Sequence, residues 1–478
     1  MHTTAQPKGR SDQPALHADN NHREVSLWET VFSKENLLAA LRRVEANRGA
    51  PGVDGMTTDE LRPWIAQNWP KVWAELDAGT YKPAPVRRVT IPKPNGGERM
   101  LGVPRVLDRL IQQAIAQALV PVFDPHFSGA SFGFRPGRSA HQAVRVGRRA
   151  VQDRNRWAVD LDLDKFFDRM NHDALMARVA RRVRNRKVLK LIRRYLEAGI
   201  MSDGVMVRNE EGTPQGSPLS PLLSNIMLDD LDRELFKRGH RFVRYADDVM
   251  IFVRSERAAQ RTLASVTAFI EKTLKLRVNR EKSKACPIWW TSLLGFGYYL
   301  AKGQVKIRVD RKAVRRLKST VRRVTSRTWG VSMAHRMDKL NRFSVGWVAY
   351  FSLSDSLRVF EEIDHWTRRR LRQAQWVQWK TSQRKNSMLQ KLGYEFGDQE
   401  QGVAVQRKRY WRASHLKPLE IAMNKAYWDA QELQVVQGLV VPPEARLRSA
   451  GRTAGCGPAC PVVWGRAGQT GPPTRSSL

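Results

Sequence analysis

Two adjacent acids inside an otherwise β-prone stretch constrain this chain more than any other feature. The stretch Arg241–Val253 reads RFVRYADDVMIFV, so that two apolar runs flank Asp247 and Asp248. Asp is frequent in tight turns because it tolerates the backbone geometry of a turn. One interpretation is therefore a β-hairpin in which the two acids only form the turn.

A second acidic segment upstream favours a different interpretation. Residues 157–168 read WAVDLDLDKFFD, and the alternation predicts a strand with Asp160, Asp162 and Asp164 on one face. Carboxylates that crowd together repel each other unless a cation neutralises them. Two acidic strand ends in one sheet suit Mg²⁺, which prefers oxygen ligands. The pattern predicts the ligands of two-metal phosphoryl transfer, although the spacing alone does not choose among the three acids of the first strand.

At these residues the chain resembles a known family. Tyr245–Asp248 is similar to the palm hairpin of reverse transcriptases, and residues 162–168 resemble their first palm strand. The wider order of motifs, from about residue 27 to about residue 439, resembles the reverse transcriptase/maturases that group II introns encode. We expect the bacterial class of these proteins that lacks an endonuclease. The resemblance implies an α+β right-hand polymerase fold, with a central antiparallel sheet in fingers and palm, followed by an all-helical thumb and maturase region.

The resemblance also implies an order of domains. We expect an N-terminal extension at 25–80, fingers and palm at 81–305, a helical thumb at 306–380 and a maturase region at 381–440. The polar leader 1–24 and the Gly/Pro-rich tail 441–478 are predicted to be disordered. Cys456 and Cys460 in that tail are a weak zinc signal, because no His and no second Cys pair accompany them.

The family resemblance assigns roles to individual residues. It implies that Asp162 and Asp247 bind two Mg²⁺ ions, for which Mn²⁺ can substitute, and that Asp248 lies beside them. It places Phe167 under the sugar of the incoming nucleotide, where we expect it to exclude a 2′-hydroxyl. The other residues implied at the nucleotide are Lys93, Arg99, Gln215 and Lys282, and those implied at the primer 3′ end are Leu294, Gly295 and Phe296.

The charge of the chain indicates a polyanionic partner. The 478 residues include 83 Lys and Arg but only 46 Asp and Glu, which gives a formal net charge of +37. Such an excess destabilises a compact protein by self-repulsion unless a polyanion binds it. Because the basic residues are spread along the chain and interleaved with 15 Trp, a long nucleic-acid track fits better than one basic tail.

Two basic segments carry this expectation most directly. The predicted helix 175–198 contains nine Lys or Arg, which are equally consistent with an RNA surface and with a solvated face. In the predicted helix 357–380 the Trp residues are expected in the core, whereas the arginines are the better RNA candidates. These candidates are Arg368, Arg369, Arg370 and Arg372.

Several classes of protein are disfavoured. Three cysteines argue against a disulfide scaffold and for a reducing compartment. No apolar run approaches the ~20 residues that span a bilayer, and the N-terminus has no hydrophobic signal core. No dominant amphipathic anchor favours a membrane surface either. We expect a cytoplasmic protein that associates with the nucleoid when it is bound to target DNA.

These observations predict an RNA-directed DNA polymerase that is also a maturase. It would copy group II intron RNA from a DNA primer with dNTPs at a target DNA, and it would bind the intron RNA to assist splicing. One alternative is a retron-type, diversity-generating or CRISPR-associated reverse transcriptase, against which the maturase-like region after residue 309 argues. A second alternative is a splicing chaperone with a decayed polymerase site, against which the retained acids argue.

Overall fold

The fold is known from a computed structural model that describes residues 26–92, 98–202, 205–207, 212–213, 216–396 and 410–433. The chain divides into two compact units, of which the first comprises Met1–Val122, Val179–Asn209 and Pro214–Leu219. The second comprises Phe123–Arg178, Glu210–Thr213 and Ser220–Leu478. Among the described residues, no helix has both the length and the apolar character needed to cross a membrane.

The helices in chain order are α1 (Leu27–Phe32), α2 (Lys34–Asn47), α3 (Leu61–Asp77), α4 (Val106–Phe123), α5 (Ala140–Gln152), α6 (His172–Ala180), α7 (Arg186–Glu197), α8 (Ser220–Lys237), α9 (Glu256–Phe269), α10 (Arg311–Val324), α11 (Met333–Phe351), α12 (Arg358–Gln378), α13 (Ser382–Lys391), α14 (Tyr410–Ala413), α15 (Lys417–Ala422) and α16 (Lys425–Ala430). The strands are β1 (Val86–Pro92), β2 (Glu98–Val103), β3 (Trp157–Leu161), β4 (Ile200–Ser202), β5 (Val205–Val207), β6 (Arg241–Tyr245), β7 (Asp248–Val253), β8 (Lys284–Pro287), β9 (Phe296–Ala301) and β10 (Gln304–Val309).

The first unit combines helices with a mixed sheet of order β2-β1-β4-β5. Strands β1 and β2 form an antiparallel pair, and β1 pairs in parallel with β4. The predicted helix 175–198 is wrong in its continuity, because the chain breaks into α6 and α7. Asn185 caps the start of α7 by accepting a hydrogen bond from the backbone N–H of Val188, which explains why a new helix begins there.

The second unit contains the sheet that organises the chain. Its order is β6-β7-β3-β8, and every neighbouring pair is antiparallel. Helix α5 packs against this sheet, and their shared apolar core continues into α10, α11 and α12. A hairpin of β9 and β10, which the sequence analysis did not predict, lies in the same core. The predicted α+β reverse transcriptase fold with a mostly helical C-terminal region is confirmed.

The helices of the C-terminal region have an apolar face and a basic face, as α10 illustrates. Leu317, Val321 and Val324 of α10 are buried, while most of its Lys and Arg face solvent. Trp376 and Trp428 are fully buried, so that these two Trp side chains form core rather than a stacking surface for bases. Burial of an aromatic side chain of this size is a large apolar contribution to stability.

Candidate active site

The two adjacent acids lie at the tip of the hairpin of β6 and β7. Tyr245 pairs with Asp248 in this hairpin, and Ala246 adopts a left-handed backbone with φ 57°. On the neighbouring strand Leu161 pairs with Val249. Since the strands are antiparallel, Asp162, the first residue after β3, emerges at the same edge of the sheet as Asp248, the first residue of β7. The predicted meeting of two acidic strand ends in one sheet is confirmed.

A buried ion pair stabilises the turn that carries the two adjacent acids. Arg244 and Asp232 of α8 are both fully buried, and two hydrogen bonds of 2.8 and 2.6 Å join them. Arg244 also donates to Asn225 Oδ1 at 2.9 Å and to the carbonyl of Ala246 at 3.0 Å. A charge that is buried in this way is tolerated only when it is paired and fully hydrogen-bonded. The network therefore fixes the backbone that carries Asp247.

A glycine allows a second segment to approach the same turn. A Cβ on Gly133 would lie 2.9 Å from the carbonyl carbon of Tyr245 and would also clash with the backbone nitrogen of Ala246. Asn225 donates to the carbonyl of Gly133 at 2.9 Å, which ties this segment to α8. Only a residue without a side chain fits between the two backbones.

The three acids of the first strand have different partners. Strand β3 ends at Leu161, so the prediction that all three acids lie within one strand is wrong. Asp160 accepts a hydrogen bond of 2.9 Å from Thr291. Asp164 lies 3.3 Å from the guanidinium of Arg169. These two acids are satisfied by partners within the protein.

Asp162 is instead held through its backbone and offers its carboxylate to the sheet edge. Its backbone N–H donates to Ser283 Oγ at 3.0 Å, and its carbonyl accepts from the N–H of Asn279 at 2.9 Å. The ammonium of Lys282 lies 3.4 Å from its carboxylate. Lys282 is well exposed, so the ion pair contributes little stability and is readily exchanged.

The carboxylates at this edge create an unfavourable concentration of negative charge. Burial and then the charges of Asp247, Asp160 and Asp162 raise the pKa of Asp248 to about 7. Burial also raises the pKa of Asp160, and the charge of Asp162 adds to this increase. A bound cation would relieve this repulsion, which is how metal-binding carboxylates behave.

The carboxylates at this edge have the ligand chemistry that a hard divalent cation needs, although they are not gathered into a formed metal site. Within the described ranges, no group of three or more His, Cys, Asp or Glu side chains is arranged closely enough to hold a metal ion. The residues that would hold one are Asp162, Asp247 and Asp248, because they supply the carboxylate oxygens that Mg²⁺ prefers. The ammonium beside Asp162 is the positive charge that such an ion would replace.

Replacing Asp248 with Asn should stabilise the metal-free protein at neutral and alkaline pH. The folded-state pKa of Asp248 is raised to about 7, so ionising this acid in the folded protein is costly above the pKa of about 3.9 that it has in the unfolded chain. The gain in stability of Asp248→Asn over the wild type should therefore be absent at pH 4, grow towards pH 7 and remain constant above pH 7. The carboxylate has protein on one side and solvent on the other. Because the solvent screens its charge, we expect only about 2 °C in Tm.

This prediction is checked by thermal unfolding between pH 4 and pH 8 with EDTA, and again with Mg²⁺. In Mg²⁺ the sign should reverse, because the wild type gains stability from the cation and Asp248→Asn does not. A wild-type Tm that is equal to that of the variant at every pH would contradict the repulsion described above.

Comparison with known proteins identifies the family. Residues 91–308 match the family described as "Reverse transcriptase (RNA-dependent DNA polymerase)", and residues 314–393 match "Group II intron, maturase-specific domain". Protein YkfC of Escherichia coli is 33% identical over 306 residues, which cover 56% of this chain and 80% of YkfC. The chain belongs to the group II intron reverse transcriptase/maturase family.

A second relative is the group II intron-encoded protein LtrA of Lactococcus lactis. It is 35% identical over 219 residues, which cover 46% of this chain and 36% of LtrA. The matched region is thus about a third of that relative. A reverse transcriptase domain generally implies the use of a divalent metal, and a maturase domain implies binding of intron RNA.

Phe167 lies in a short turn that is hydrogen-bonded to a second segment of the chain. Its carbonyl accepts a hydrogen bond of 2.6 Å from the N–H of Thr213, and the N–H of Gly212 donates to the carbonyl of Met170 at 2.8 Å. Gly212 has φ 91°, and a Cβ there would lie 2.7 Å from the carbonyl oxygen of Phe167. The half-buried ring of Phe167 meets Phe166 edge-on at 5.1 Å between centroids.

The predicted nucleotide-binding residues lie only partly within the described structure. Lys93 and Gln215 lie outside the described residues. Arg99 lies in β2 opposite Ile91, and its side chain is outside the described part of the structure. Lys282 belongs to the second unit, where it contacts Asp162. The nucleotide-binding role of all four residues stays a prediction.

The predicted primer-binding residues form a tight turn. Leu293 and Phe296 exchange two backbone hydrogen bonds of 2.8 and 2.9 Å. Leu294 and Gly295 between them have φ values of 54° and 80°. Two left-handed residues in succession define a type I′ turn. Phe296 is fully buried, so its side chain anchors the turn and only the turn itself is available to a primer.

The four arginines predicted to bind RNA lie on α12 in unlike environments. Arg368 and Arg369 are half-buried. Arg370 donates to Thr325 Oγ1 at 3.1 Å and to the carbonyl of Arg322 at 3.3 Å. Arg372 is buried and donates to the carbonyl of Met423, so it packs helices together and has almost no surface for RNA.

The sequence analysis missed the residues that support the catalytic turn. They are Gly133, Asn225, Asp232 and Arg244. A weak signal was present, because Arg244 interrupts an apolar strand at a position where its neighbours are buried. Its partner in α8 could not be chosen from the several acids of that helix.

Proposed function

We propose that this protein is an RNA-directed DNA polymerase that copies group II intron RNA into DNA. The observation that carries the proposal is the antiparallel pairing of β3 with β7, which brings Asp162 and Asp248 to one edge of the sheet, in a chain that belongs to this family. Asp162 and Asp247 would bind two Mg²⁺ ions, with Asp248 beside them. When bound, these ions would activate the primer 3′-hydroxyl and hold the triphosphate and the leaving pyrophosphate.

The protein's own residues would prepare the site for this reaction. The network of Arg244 holds the turn, so that the carboxylates need no reorganisation when substrate arrives. Lys282 is exposed and weakly paired with Asp162. Because this pairing is weak, the ammonium of Lys282 could leave Asp162 and pair with the phosphates of a dNTP.

As a maturase, the protein would bind the intron RNA and assist its splicing, which the RNA itself catalyses. Support comes from the exposed basic face of α10 and from the partly exposed Arg368 and Arg369 on α12. Lys318 and Arg322 of α10 lie 5.7 and 5.4 Å from the ring of Trp366, where cation–π contacts orient their charges. Recognition of structured RNA depends on such phosphate contacts and on shape. The intron would be copied at its target DNA, in the cytoplasm.

Primer extension tests the polymerase. We expect full-length DNA from a long RNA template with a DNA primer, dNTPs and Mg²⁺, and no product with EDTA or from Asp247→Asn. RNA binding by the variant should survive, because Asp247 contributes nothing to phosphate contacts. If neither protein extends the primer, while both bind RNA tightly and with a steep salt dependence, the polymerase proposal is wrong and a splicing chaperone remains.

Replacing Phe167 with Ala should weaken the discrimination between dNTPs and rNTPs. The ring is proposed to exclude the 2′-hydroxyl, and removing it leaves room for that group. We expect the ratio of kcat/KM for dNTP over rNTP to fall on the order of 100-fold, or about 2.7 kcal/mol. Single-nucleotide incorporation measures this ratio, and dNTP incorporation by the same variant is the internal control. If the ratio is unchanged, a residue other than Phe167 excludes the 2′-hydroxyl.

A further inference from the structure

The turn proposed to hold the primer end has a strained residue at its tip. Leu294 has φ 54°, a left-handed conformation that a branched side chain adopts only when its surroundings enforce it. Asn followed by Gly is the preferred sequence for a type I′ turn, whereas this chain has Leu followed by Gly. Something outside the turn must therefore supply the stabilisation that the sequence of the turn lacks.

Tyr350, at the end of α11, supplies that stabilisation. Its hydroxyl donates a hydrogen bond of 2.9 Å to the carbonyl of Leu294. Its ring packs 5.5 Å from that of Phe296, which follows the turn. The neighbouring ring of Phe351 lies against Gly295, since a Cβ on that glycine would meet it at 3.3 Å. The end of α11 thus contacts every residue of the turn.

The same tyrosine is also held from the other side. Its backbone carbonyl accepts a hydrogen bond from His141 Nε2, in the first turn of α5. The His141 ring lies 6.0 Å from Phe296 and 5.8 Å from Tyr350. Tyr350 therefore joins three segments of the second unit, namely the start of α5, the turn before β9 and the end of α11.

Tyr350 lies within electrostatic reach of the acids. Burial first, and then the charges of Tyr245 and Asp248, raise the pKa of Tyr350 to about 12. The hydroxyl consequently stays protonated at neutral pH and is available as a hydrogen-bond donor. Tyr245, which pairs with Asp248, and Leu294 of the turn pack against the same apolar core.

We infer that Tyr350 is a positioning residue that holds the Leu294–Gly295 turn in the conformation that aligns the primer 3′ end with the acids. The inference rests on the proposed polymerase function. It makes the last turn of α11 a determinant of primer alignment, because the hydrogen bond reaches the backbone of the turn and not the substrate. A 1 Å displacement of a reacting group is enough to slow a reaction strongly.

A double-mutant cycle separates this role from direct contact with substrate. Tyr350→Phe removes only the hydroxyl, and we expect kcat for primer extension to fall about five- to tenfold, the effect of one hydrogen bond. The KM for dNTP should stay within about twofold. Leu294→Asn gives the turn its preferred Asn-Gly sequence, so in that background Tyr350→Phe should cost less than about twofold.

A matched control and a second readout complete the test. Tyr299 of β9 has no hydrogen bond from its hydroxyl among the described residues, so Tyr299→Phe should leave kcat unchanged. Hydrogen exchange of the amides at 293–296 should be faster in Tyr350→Phe and normal again in the double variant. An unchanged kcat in Tyr350→Phe overturns the inference, and so does an equal loss in both backgrounds. Failure of the wild type to extend a primer instead removes the proposed function.

Discussion

Replacing Asp162 with Asn should reduce the rate of primer extension by about three orders of magnitude or more, equivalent to roughly 4 kcal/mol. The amide keeps the shape of the side chain but removes the negative charge that the two proposed Mg²⁺ ions would require. Asp162 follows Leu161, which pairs with Val249, so it lies at the same edge of the sheet as Asp248.

Asp164 offers a matched control for that substitution. It lies two residues away, it is likewise half-buried, and its carboxylate pairs with Arg169 at 3.3 Å. Asp164→Asn should leave the extension rate within about fivefold and should cost only the small stability of a partly exposed ion pair, about 0–1 kcal/mol. Asp160→Asn should behave similarly, because Thr291 can still donate to the amide oxygen.

Single-turnover extension with saturating dNTP and a Mg²⁺ titration measures these effects. RNA affinity at two salt concentrations should be the same for all variants, since phosphate contacts are unaffected. If Asp164→Asn were as inactive as Asp162→Asn, the choice of Asp162 as the metal ligand would be refuted. Partial recovery of Asp162→Asn at high Mn²⁺ would support the metal role.

The local part of this site could be predicted from the sequence. Alternation in 157–161 indicates a strand, the apolar run 249–253 indicates a buried one, and a turn at Ala246 and Asp247 follows from the acids between two β-prone runs. Antiparallel pairing of two such strands then brings their acidic ends together. What alternation did not reveal is that β3 stops at Leu161, because the residues beyond it leave the ladder and bond to the segment 277–283.

Contacts between distant segments were the part that the sequence did not disclose. Arg370 and Arg372 are two residues apart on one helix, yet only Arg372 is buried. Their difference depends on which helix packs on each face, and residue type carries no information about that. The β9–β10 hairpin, in contrast, could have been predicted from the sequence. Val305, Ile307 and Val309 alternate with polar residues, which is the pattern of a strand.

The acids of the site could be found from the sequence, whereas the residues that support them could not. The acids are recognisable because their chemistry is demanding and their spacing along the chain is short. Gly133 and Asn225 act only through the backbone of the turn, from segments about a hundred residues and about twenty residues upstream of it. Their roles therefore follow from the fold, and a function read from the acids alone omits what keeps them in place.

Replacing Asp232 with Ala should be among the most destabilising single changes in the second unit. Asp232 and Arg244 are both inaccessible to solvent and are joined by two hydrogen bonds. Removal of the acid leaves an uncompensated guanidinium in the core, which costs about 3–5 kcal/mol. Arg244 also donates to the carbonyl of Ala246 at 3.0 Å, so any shift of its side chain displaces the catalytic turn. Extension should therefore fall even at temperatures where the variant remains folded.

The exposed pair Arg342–Asp338 is the matched control. It has the same chemistry and a hydrogen bond of 2.8 Å, but its side chains are 75% and 45% exposed. Asp338→Ala should cost no more than about 0.5 kcal/mol in urea unfolding and should leave extension unchanged.

The double variant Arg244→Met with Asp232→Leu should be more stable than Asp232→Ala, because no charge is left unpaired in the core. It should still extend primers slowly, since the carbonyl of Ala246 has lost its donor. If Asp232→Ala unfolded at the same urea concentration as Asp338→Ala, burial of the Arg244 pair would have to be rejected.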